Sequence, residues 1–419
     1  MPGPDDRNVP GLELEEAPPY MSDEGGSDPS GFDDYLGDLA REEDEGRDRH
    51  ARRRRALLDG WPVSRLELAE LEEPPPARRW LLRQGTGQEA KPLFPRGKLG
   101  ILSAAGGTGK SMALCGLALA VATGRPWLQA GRGAHLPAGF GVPPEEAGRV
   151  ALLLAEEERD EVRRRLYQAA RLMGLNGEER ERAAARLWIG ALAGQRVELV
   201  ERDGPGNVRE TPRAAALRAR LREEVEADLR QRAEELAGGL PDPGPEGWAL
   251  VIVDPLSRFG GVDTETDNGA ATRAIQALEA LAKLPGGPGV MVAHHERKGS
   301  ATDASAGQEA IRGSSAIVDG ARWAARLVPV MVAGERWRTP AGARAVRLVL
   351  VKTNYSPPMD EGGRLLVSDN GHEGALRVAT EEERARLADD IAAAKAEGSK
   401  GDKRKAPPAT KPATRKIEA

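Results

Sequence analysis

The chain of 419 residues is 39% hydrophobic and 30% charged, so it can bury a sizeable core, while its formal net charge of −5 means that any anion binding must be local. The longest apolar run, Met112 to Ala122, is shorter than the ~20 residues that a membrane helix needs, and the acidic start does not resemble a signal peptide. With a single cysteine, Cys115, and no zinc-type spacing among its five histidines, the composition favours a cytoplasmic protein without a membrane partner, a disulfide or a structural metal.

Charge is concentrated at the two ends of the chain. Residues 1–50 hold 16 acidic and 4 basic side chains, whereas residues 391–419 hold 8 basic and 3 acidic ones. Such polar segments bury too little apolar surface to offset the entropy of ordering. We therefore predict an acidic, largely disordered N-terminal region over 1–75, one folded domain over 76–380, and a basic, mostly disordered C-terminal tail over 381–419. The basic tail fits either weak contact with nucleic acid or plain solvation.

From residue 97 onward, apolar runs of strand length alternate with longer helical patterns, which is typical of βαβ units in the α/β class with a mostly parallel sheet. The predicted strands are 98–103, 149–155, 186–189, 249–253, 290–293, 321–328 and 346–351. Between the third and fourth strands, the run VELVERDGPGNVRET predicts a hairpin, and Thr211-Pro212 predicts the start of a helix. We therefore expect a helical insertion over 203–246.

The first predicted strand leads into the run AAGGTGKS, Ala104 to Ser111, and then into the apolar helix MALCGLALAVA. This is the setting of a phosphate-binding loop (P-loop), in which glycine N–H groups surround a phosphate, a lysine reaches the β and γ oxygens, and a hydroxyl holds Mg²⁺. Ala104 replaces the first glycine of the pattern GxxxxGK[ST], so the entry turn must accommodate a Cβ. The predicted ATP-binding residues are Gly106, Gly107, Thr108, Gly109, Lys110 and Ser111.

Two carboxylates are candidates for the chemistry at this loop. Asp254 ends the apolar run ALVIVD and is predicted, with Ser111, to hold Mg²⁺. The next residue is Pro255 and not a glutamate, so the carboxylate that activates water must come from another part of the chain. Glu156 emerges at the carboxyl end of the second strand, where ligands of open α/β sheets gather, and we predict that it is catalytic together with Lys110. Glu157 and Glu158 are expected only to begin the next helix.

Six segments, taken in order, resemble the RepA-like replicative helicases of plasmids and phages. They are AAGGTGKS, AEE after the second strand, VDPLSRF, AHHERKG, IRGSSAIVDGARW and VKTNY, and they span roughly residues 95–356. Only the P-loop is specific by itself, but the ordered set is a strong similarity. The resemblance implies a RecA-like ATPase core that assembles as a homohexameric ring. It covers neither tail nor the insertion.

The resemblance also implies a sensor of the γ-phosphate at His294 or His295. Because successive strand residues point to opposite faces, only one of the two can face the nucleotide. We favour His295 as the sensor and expect His294 in the core. Arg297 and Lys298 begin the Gly/Ser/Ala-rich segment that follows. By the resemblance this segment contacts nucleic acid in the channel of the ring, and the alternative is a plain exposed loop.

Two further cations match positions of the same family. Arg312 in IRGSS resembles an arginine finger that reaches the ATP of the neighbouring subunit, and Lys352 in VKTNY resembles a possible second finger. A finger supplied by a neighbour would leave an isolated subunit nearly inactive. The alternative for Arg312 is a cap or an ion pair within its own subunit.

Together these features predict an ATP-dependent DNA helicase or translocase of plasmid or phage replication, with ATP and Mg²⁺ as cofactors. Only 15 residues are aromatic and none lies in the channel segment, so single-stranded DNA would be held by its backbone, independently of sequence. Two alternatives stay open. One is a RecA-like DNA-dependent ATPase that loads or remodels proteins without unwinding, and the other is a nucleotide-switched DNA-binding adaptor.

Overall fold

The structure is a computed structural model that describes residues 64–87, 89–133, 136–204, 207–237, 247–261, 263–297, 302–303, 305–313, 315–359 and 362–403. The chain divides into two units, Met1–Pro76 and Ala77–Ala419. The first unit contributes one short described helix, α1 (Ala69–Glu72). Everything below concerns the second unit. The predicted disordered region before residue 64 and the predicted tail after residue 403 lie outside the described residues.

The second unit contains the following helices and strands in chain order: β1 (Trp80–Gln84), β2 (Lys91–Pro95), β3 (Leu99–Ala104), α2 (Lys110–Thr123), β4 (Arg149–Leu154), α3 (Arg159–Leu172), α4 (Gly177–Arg186), β5 (Leu187–Ala191), β6 (Val200–Arg202), β7 (Val208–Glu210), α5 (Pro212–Ala237), β8 (Trp248–Asp254), α6 (Leu256–Phe259), α7 (Asn268–Leu281), β9 (Gly289–His295), α8 (Ser315–Gly320), β10 (Trp323–Pro329), β11 (Met331–Val332), β12 (Glu335–Arg336), β13 (Ala345–Thr353), β14 (Arg364–Asp369), β15 (Ala375–Val378) and α9 (Glu381–Lys403).

Nine of these strands form one central sheet in the order β15-β14-β13-β10-β3-β9-β8-β4-β5. The strands from β10 to β5 pair in parallel, and β13, β14 and β15 continue the sheet in antiparallel fashion. This confirms the α/β class and the mostly parallel sheet predicted from the sequence. In such a sheet the carboxyl ends of the parallel strands lie together, which brings the ends of β3, β4, β8 and β9 to one place.

Each face of the sheet has its own apolar core because strand residues alternate between the faces. On one face, Leu102 and Ala104 pack with α2, α3 and α4, and on the other, Leu99 and Ile101 pack with α5, α7 and α8. Helix α2 has no polar stripe. It is covered on nearly all sides, since Ala113 to Thr123 are buried except Gly116, and the indole of Trp127 donates to the Ala113 carbonyl at 2.9 Å. The helix that follows the P-loop is therefore held rigidly.

The segment between β5 and β8 contains the hairpin and the helix that the sequence predicted. Strands β6 and β7 pair in antiparallel fashion, and α5 begins at Pro212, after Thr211. Leu221 and Val225 of α5 are buried, and the Leu221 carbonyl accepts a hydrogen bond from the Trp248 indole at 2.8 Å. The insertion is therefore packed against the start of β8 within the same unit.

The structure corrects the expected lower bound of the C-terminal tail. Residues 381–403 form helix α9, whose start is a capping box between Thr380 and Glu383. Leu387 of this helix is buried in a third apolar cluster that includes Trp337 and Val367. An ordered helix forms here because its first turn is acidic and its Leu387 has an apolar cluster to enter. The antiparallel pair of strands β1 and β2 was also not predicted from the sequence.

Among the described residues, no helix is long and apolar enough to cross a membrane.

Candidate nucleotide site

The P-loop joins a fully buried strand to a buried helix. Strand β3 ends at Ala104, the loop runs from Ala105 to Gly109, and α2 begins at Lys110. Gly107 and Gly109 have φ values of 72° and 102°, a conformation that favours glycine. Ala104 still belongs to the strand, which explains why a Cβ is tolerated where the pattern has its first glycine.

The loop leaves open space for a ligand in front of the helix N-terminus. A Cβ built on Gly106 or Gly107 would meet no atom within 4 Å. The hydroxyl of Thr108 is buried and, among the described residues, has no hydrogen-bond partner. The first N–H groups of α2 point out of the helix N-terminus toward the loop, and they have no partner within the helix. An anionic oxygen can therefore be held by several donors at once.

Lys110 is the charged group of the loop. Its ammonium donates to the His294 carbonyl, with an Nζ to O distance of 3.5 Å. Burial lowers the pKa of Lys110 below its ordinary value, and the nearby carboxylates of Asp254, Glu156 and Glu296 oppose this shift. The lysine thus lies at the P-loop among carboxylates that belong to three different strand ends.

Asp254 and Ser111 fit the expectation of a magnesium site. Asp254 ends β8, is buried, and its Oδ2 has no hydrogen-bond partner among the described residues. Ser111 lies in the first turn of α2. A buried carboxylate oxygen without a donor is costly unless a cation or a water bound to a cation completes it. These two residues would hold Mg²⁺ together with the phosphates of ATP.

The three consecutive glutamates after β4 have different surroundings. The Ala155 amide donates to the Asp254 carbonyl at 2.9 Å, which holds Glu156 beside the end of β8. The Glu156 carboxylate is half-exposed and accepts a hydrogen bond from Arg258 at 3.2 Å. Glu157 instead forms a 2.7 Å ion pair with Arg165 of α3, and Glu158 is the N-cap of that helix without a side-chain capping bond. Of the three glutamates, Glu156 is the one whose carboxylate acts on the pKa of Lys110.

Both histidines at the end of β9 pair with the P-loop strand, but their environments differ. His294 lies opposite Ser103 and His295 opposite Ala104. His294 is fully buried, and its Nε2 donates to the Arg312 carbonyl at 2.6 Å. Burial lowers the pKa of His294 to about 4. His295 is half-buried, and its pKa is lowered by burial and by Lys110 while Glu156, Asp254 and Glu265 oppose this.

Lys110, Asp254, Glu156 and His295 therefore form one electrostatically connected group at the carboxyl ends of β3, β4, β8 and β9. A family model described as AAA domain matches residues 53–301, which is more than half of the chain. The chain belongs to the AAA domain family. The match and the geometry of the loop together identify a P-loop ATPase with a nucleotide-binding site. AAA domains usually bind their nucleotide together with Mg²⁺. All four residues of the connected group lie within the matched span.

The predicted fingers lie beyond the matched span of the AAA domain, and both have partners in their own chain. Arg312 forms a 2.8 Å ion pair with Glu265, although its side chain is 55% exposed. Its backbone N–H donates to the His295 carbonyl at 3.1 Å. Lys352 donates to the carbonyls of Val318 and Asp319 at 2.8 and 3.0 Å, at the C-terminal end of α8. Lys352 is therefore anchored as a helix cap, whereas half of the Arg312 side chain remains accessible.

The predicted nucleic-acid residues are only partly described. Arg297 is exposed, donates to the Gly313 carbonyl at 3.1 Å, and its amide donates to the Ala310 carbonyl at 3.0 Å. Lys298 lies outside the described residues. Arg297 thus lies at the start of the segment between β9 and α8 and is hydrogen-bonded to the end of that segment.

Three residues around the P-loop and Arg312 were not predicted from the sequence. Arg344 donates to the Gly107 carbonyl at 2.9 Å from a turn that is distant in sequence. Glu265, which holds Arg312, stands in the acidic run DTETD, and this run was the available signal. Arg202 of the β6–β7 hairpin flanks Glu265 by binding Asp263 and Asp267 at 2.9 and 3.2 Å. No local pattern indicates Arg344, because its partner is a carbonyl brought close only by the fold.

Proposed function

We propose that this AAA domain protein is a DNA-dependent ATPase of the helicase or translocase type, similar to the RepA-like enzymes of plasmid and phage replication. The observation that carries the proposal is the hydrogen-bonded connection from the nucleotide site to the segment after β9. His295 lies at the P-loop, and its carbonyl accepts the Arg312 amide. Arg297 and Arg312 lie at the two ends of that segment. A shift of His295 when the phosphates change would therefore move the segment through this hydrogen bond.

ATP binding is assigned to the P-loop and the first turn of α2. The open space at Gly106 and Gly107 admits phosphate oxygens, and the amide groups of the loop donate to them. Lys110 meets the charge on the β and γ oxygens. Magnesium, when bound, supplies further positive charge to the phosphates, and Ser111 and Asp254 are its proposed ligands.

The attack on the γ-phosphate is assigned to a water held by Glu156. This carboxylate can accept the proton of the water or orient the water for in-line attack. Arg258 restrains the carboxylate through its bond to Oε1, and Lys110 stabilises charge on the transferred group. His295, which is half-buried beside Lys110, is the proposed sensor that responds when the γ-phosphate leaves.

A ring is proposed because about half of the Arg312 side chain is exposed, although the guanidinium pairs with Glu265 of its own chain. In a homohexamer this side chain would reach the ATP of the next subunit. Completing the site in this way makes hydrolysis depend on assembly. Lys352 retains its proposed role as a second finger only if its ammonium leaves the end of α8 on assembly.

Single-stranded DNA is the proposed partner of the segment that Arg297 and Lys298 begin. Contacts from such cations are made to phosphates and carry no sequence information. The affinity for DNA should therefore fall steeply with salt and vary little with base composition.

One assay tests this function and separates it from its alternatives. The purified full-length chain is incubated with ATP and Mg²⁺, with or without single-stranded DNA, and with a forked duplex. Unwinding supports the helicase, and ATPase stimulated by DNA without unwinding supports a loader or remodelling factor. Tight ATP binding with negligible turnover under all conditions would contradict a motor and favour the nucleotide-switched adaptor.

A further inference from the structure

A fully buried ion pair lies directly after His295, and neither of its residues takes part in the hydrolysis proposed above. The side chains of Arg326 in β10 and of Glu296, which directly follows β9, are each 0% exposed. The pair is bidentate, because Arg326 Nε lies 2.8 Å from Oε1 and Nη2 lies 3.2 Å from Oε2. Both partners are therefore fixed in orientation as well as in position.

Such a pair needs a reason beyond stability. Removing two charges from water is costly, and replacing a buried pair by apolar residues of similar volume is often neutral or stabilising. The strand that carries Arg326 reads WAARLVP and is buried at every position, so an apolar residue would suit this site. The pair lies at a place where its geometry has consequences for its neighbours.

One end of the pair is attached to the nucleotide site. The Glu296 amide donates to the Ala104 carbonyl at 3.3 Å, directly before the P-loop. Its carboxylate accepts a hydrogen bond from the Ser103 hydroxyl at 3.3 Å. Glu296 is also the residue next to His295. Movement at the end of β3 or β9 is therefore transmitted directly to this carboxylate.

The other end of the pair is attached to the segment between β9 and α8. Arg326 Nη1 donates to the Asp303 carbonyl at 3.0 Å and also to the Ala306 carbonyl. Arg326 therefore connects two backbone positions of this segment to a carboxylate at the nucleotide site. A single guanidinium makes both connections because its five donors diverge in one plane.

We propose that Glu296 and Arg326 are positioning residues that couple the nucleotide site to the segment after β9. Glu296 moves with the ends of β3 and β9, to which it is bonded. Arg326 passes this movement on to the carbonyls of Asp303 and Ala306. The inference rests on the proposed function, in which this segment contacts single-stranded DNA. It assigns the coupling to a pair of side chains that are not among the proposed ATP-binding or catalytic residues.

The test is Arg326→Lys in the full-length chain. Lysine keeps a positive charge beside Glu296 but lacks the divergent donors, so it cannot hold the carboxylate and both carbonyls together. ATPase is measured without DNA and with oligodeoxythymidylate, and thermal unfolding is measured on the same samples. We expect DNA-free turnover close to that of the wild type, and stimulation by DNA reduced about tenfold, a typical size for coupling between sites.

Arg96→Lys is the matched control. Arg96 is also a buried arginine that binds one carboxylate, Glu146 at 2.7 Å, and donates to backbone carbonyls, among them those of Gly286 and Trp248. It lies near the amino ends of the parallel strands, away from the P-loop. We expect Arg96→Lys to lower the unfolding temperature as much as Arg326→Lys does and to leave stimulation by DNA intact.

The outcomes are separable. Equal stimulation by DNA in the wild type and Arg326→Lys overturns the inference and leaves the proposed function standing. A parallel loss of basal and stimulated turnover in both lysine variants shows a structural role and also overturns it. Absence of stimulation in the wild type contradicts the proposed function itself.

A second variant keeps the inference testable if Arg326→Lys does not fold. Glu296→Met combined with Arg326→Met replaces both charges by apolar side chains, which buried sites often tolerate. The double variant also lacks the donors to Asp303 and Ala306. Its ratio of DNA-stimulated to basal turnover should fall as in Arg326→Lys, and a ratio equal to that of the wild type would overturn the inference.

Discussion

Glu156 and Glu157 are neighbours in sequence, but the fold gives them different partners. Glu157 is tied to Arg165 of α3, and burial raises its pKa above the ordinary value. Glu156 stands beside Asp254 and Lys110, and its partner is the exposed Arg258. The two residues therefore offer an internal comparison between a proposed catalytic carboxylate and a structural one.

We predict that Glu156→Gln binds ATP normally and hydrolyses it about 10² to 10⁴ times more slowly, which is the usual contribution of a general base. The amide keeps the size of the side chain but cannot take a proton from water. Turnover is measured by phosphate release, and affinity is measured with a fluorescent ATP analogue. Glu157→Gln is the control, and a slow Glu157→Gln beside a fast Glu156→Gln would show that the assignment after β4 is displaced by one residue.

His294 makes the stability of the fold depend on pH. Its pKa is about 4 in the folded chain, against an ordinary value of 6.5. Between these values the unfolded chain binds a proton that the folded chain does not. The contribution is therefore fully present above pH 6.5 and is lost as the pH falls toward 4. The shift corresponds to about 3 kcal/mol of unfolding free energy.

We predict that His294→Gln flattens this dependence. Its side-chain amide can still donate to the Arg312 carbonyl but does not titrate. Urea unfolding is measured at pH 7 and at pH 4.5 for both proteins. The loss of unfolding free energy between the two pH values should be smaller in the variant, and equal losses would show that His294 is not the titrating group.

At the level of single residues, sequence patterns predicted the residues whose function depends on close spacing along the chain. The P-loop residues from Gly106 to Ser111 and the carboxylate at the end of β8 were recognisable because their spacing along the chain is part of their chemistry. Glu296 and Arg326 were not recognisable as a pair, because they are 30 positions apart and meet across β3. The roles of Arg312 and His295 stay predictions, since they depend on ligands and neighbouring subunits.

At the level of elements, strongly apolar runs were predicted well and short or polar elements were not. The seven predicted strands of the central sheet all exist, and their bounds shift by one or two residues. Strand β2, KPLFP, was not predicted because proline is unusual within a strand and this one contains two. Strands β14 and β15 were not predicted because they follow the last recognised motif, VKTNY. Helix α9 was missed because its composition is polar and its stability depends on a cluster formed by distant strands.

Helix α9 provides a test of this dependence. Leu387 is 2% exposed, and the Trp337 indole in the same cluster donates to Asp390 at 2.9 Å. We predict that Leu387→Ala lowers the unfolding free energy by about 2 to 5 kcal/mol, the usual cost of truncating a buried leucine. Denaturant unfolding measures this. Asp389→Ala, on the exposed face, is the control and should remain within about 0.5 kcal/mol of the wild type.

At the level of the whole molecule, the central question is whether Arg312 acts within its own subunit or on a neighbour. We predict that Arg312→Ala keeps its ATP affinity and oligomer size but loses about 10³ to 10⁵ in turnover, as expected for an arginine finger. Its ion pair with Glu265 is exposed enough that its loss alone should not unfold the chain.

Mixed oligomers distinguish the two possibilities. Lys110→Ala subunits cannot hydrolyse ATP because the charge at the β and γ oxygens is missing, but they keep Arg312. An excess of these subunits should restore turnover to Arg312→Ala subunits by completing their sites. No restoration in oligomers shown to be mixed, or full activity of a dilute wild-type monomer, would exclude action on a neighbour.

The order of strands in the sheet has a consequence for synthesis of the chain. Strand β3, which leads into the P-loop, pairs on one side with β10, from Trp323 opposite Gly100 to Leu327 opposite Ala104. More than 200 residues separate these partners, so at about 5 to 20 residues per second the ribosome needs about 10 to 40 seconds to deliver the second one. Throughout that interval the strand has an open edge of unpaired backbone groups, which is a template for pairing with another nascent chain. The strand that carries the nucleotide site is therefore open to mispairing until β10 has been synthesised.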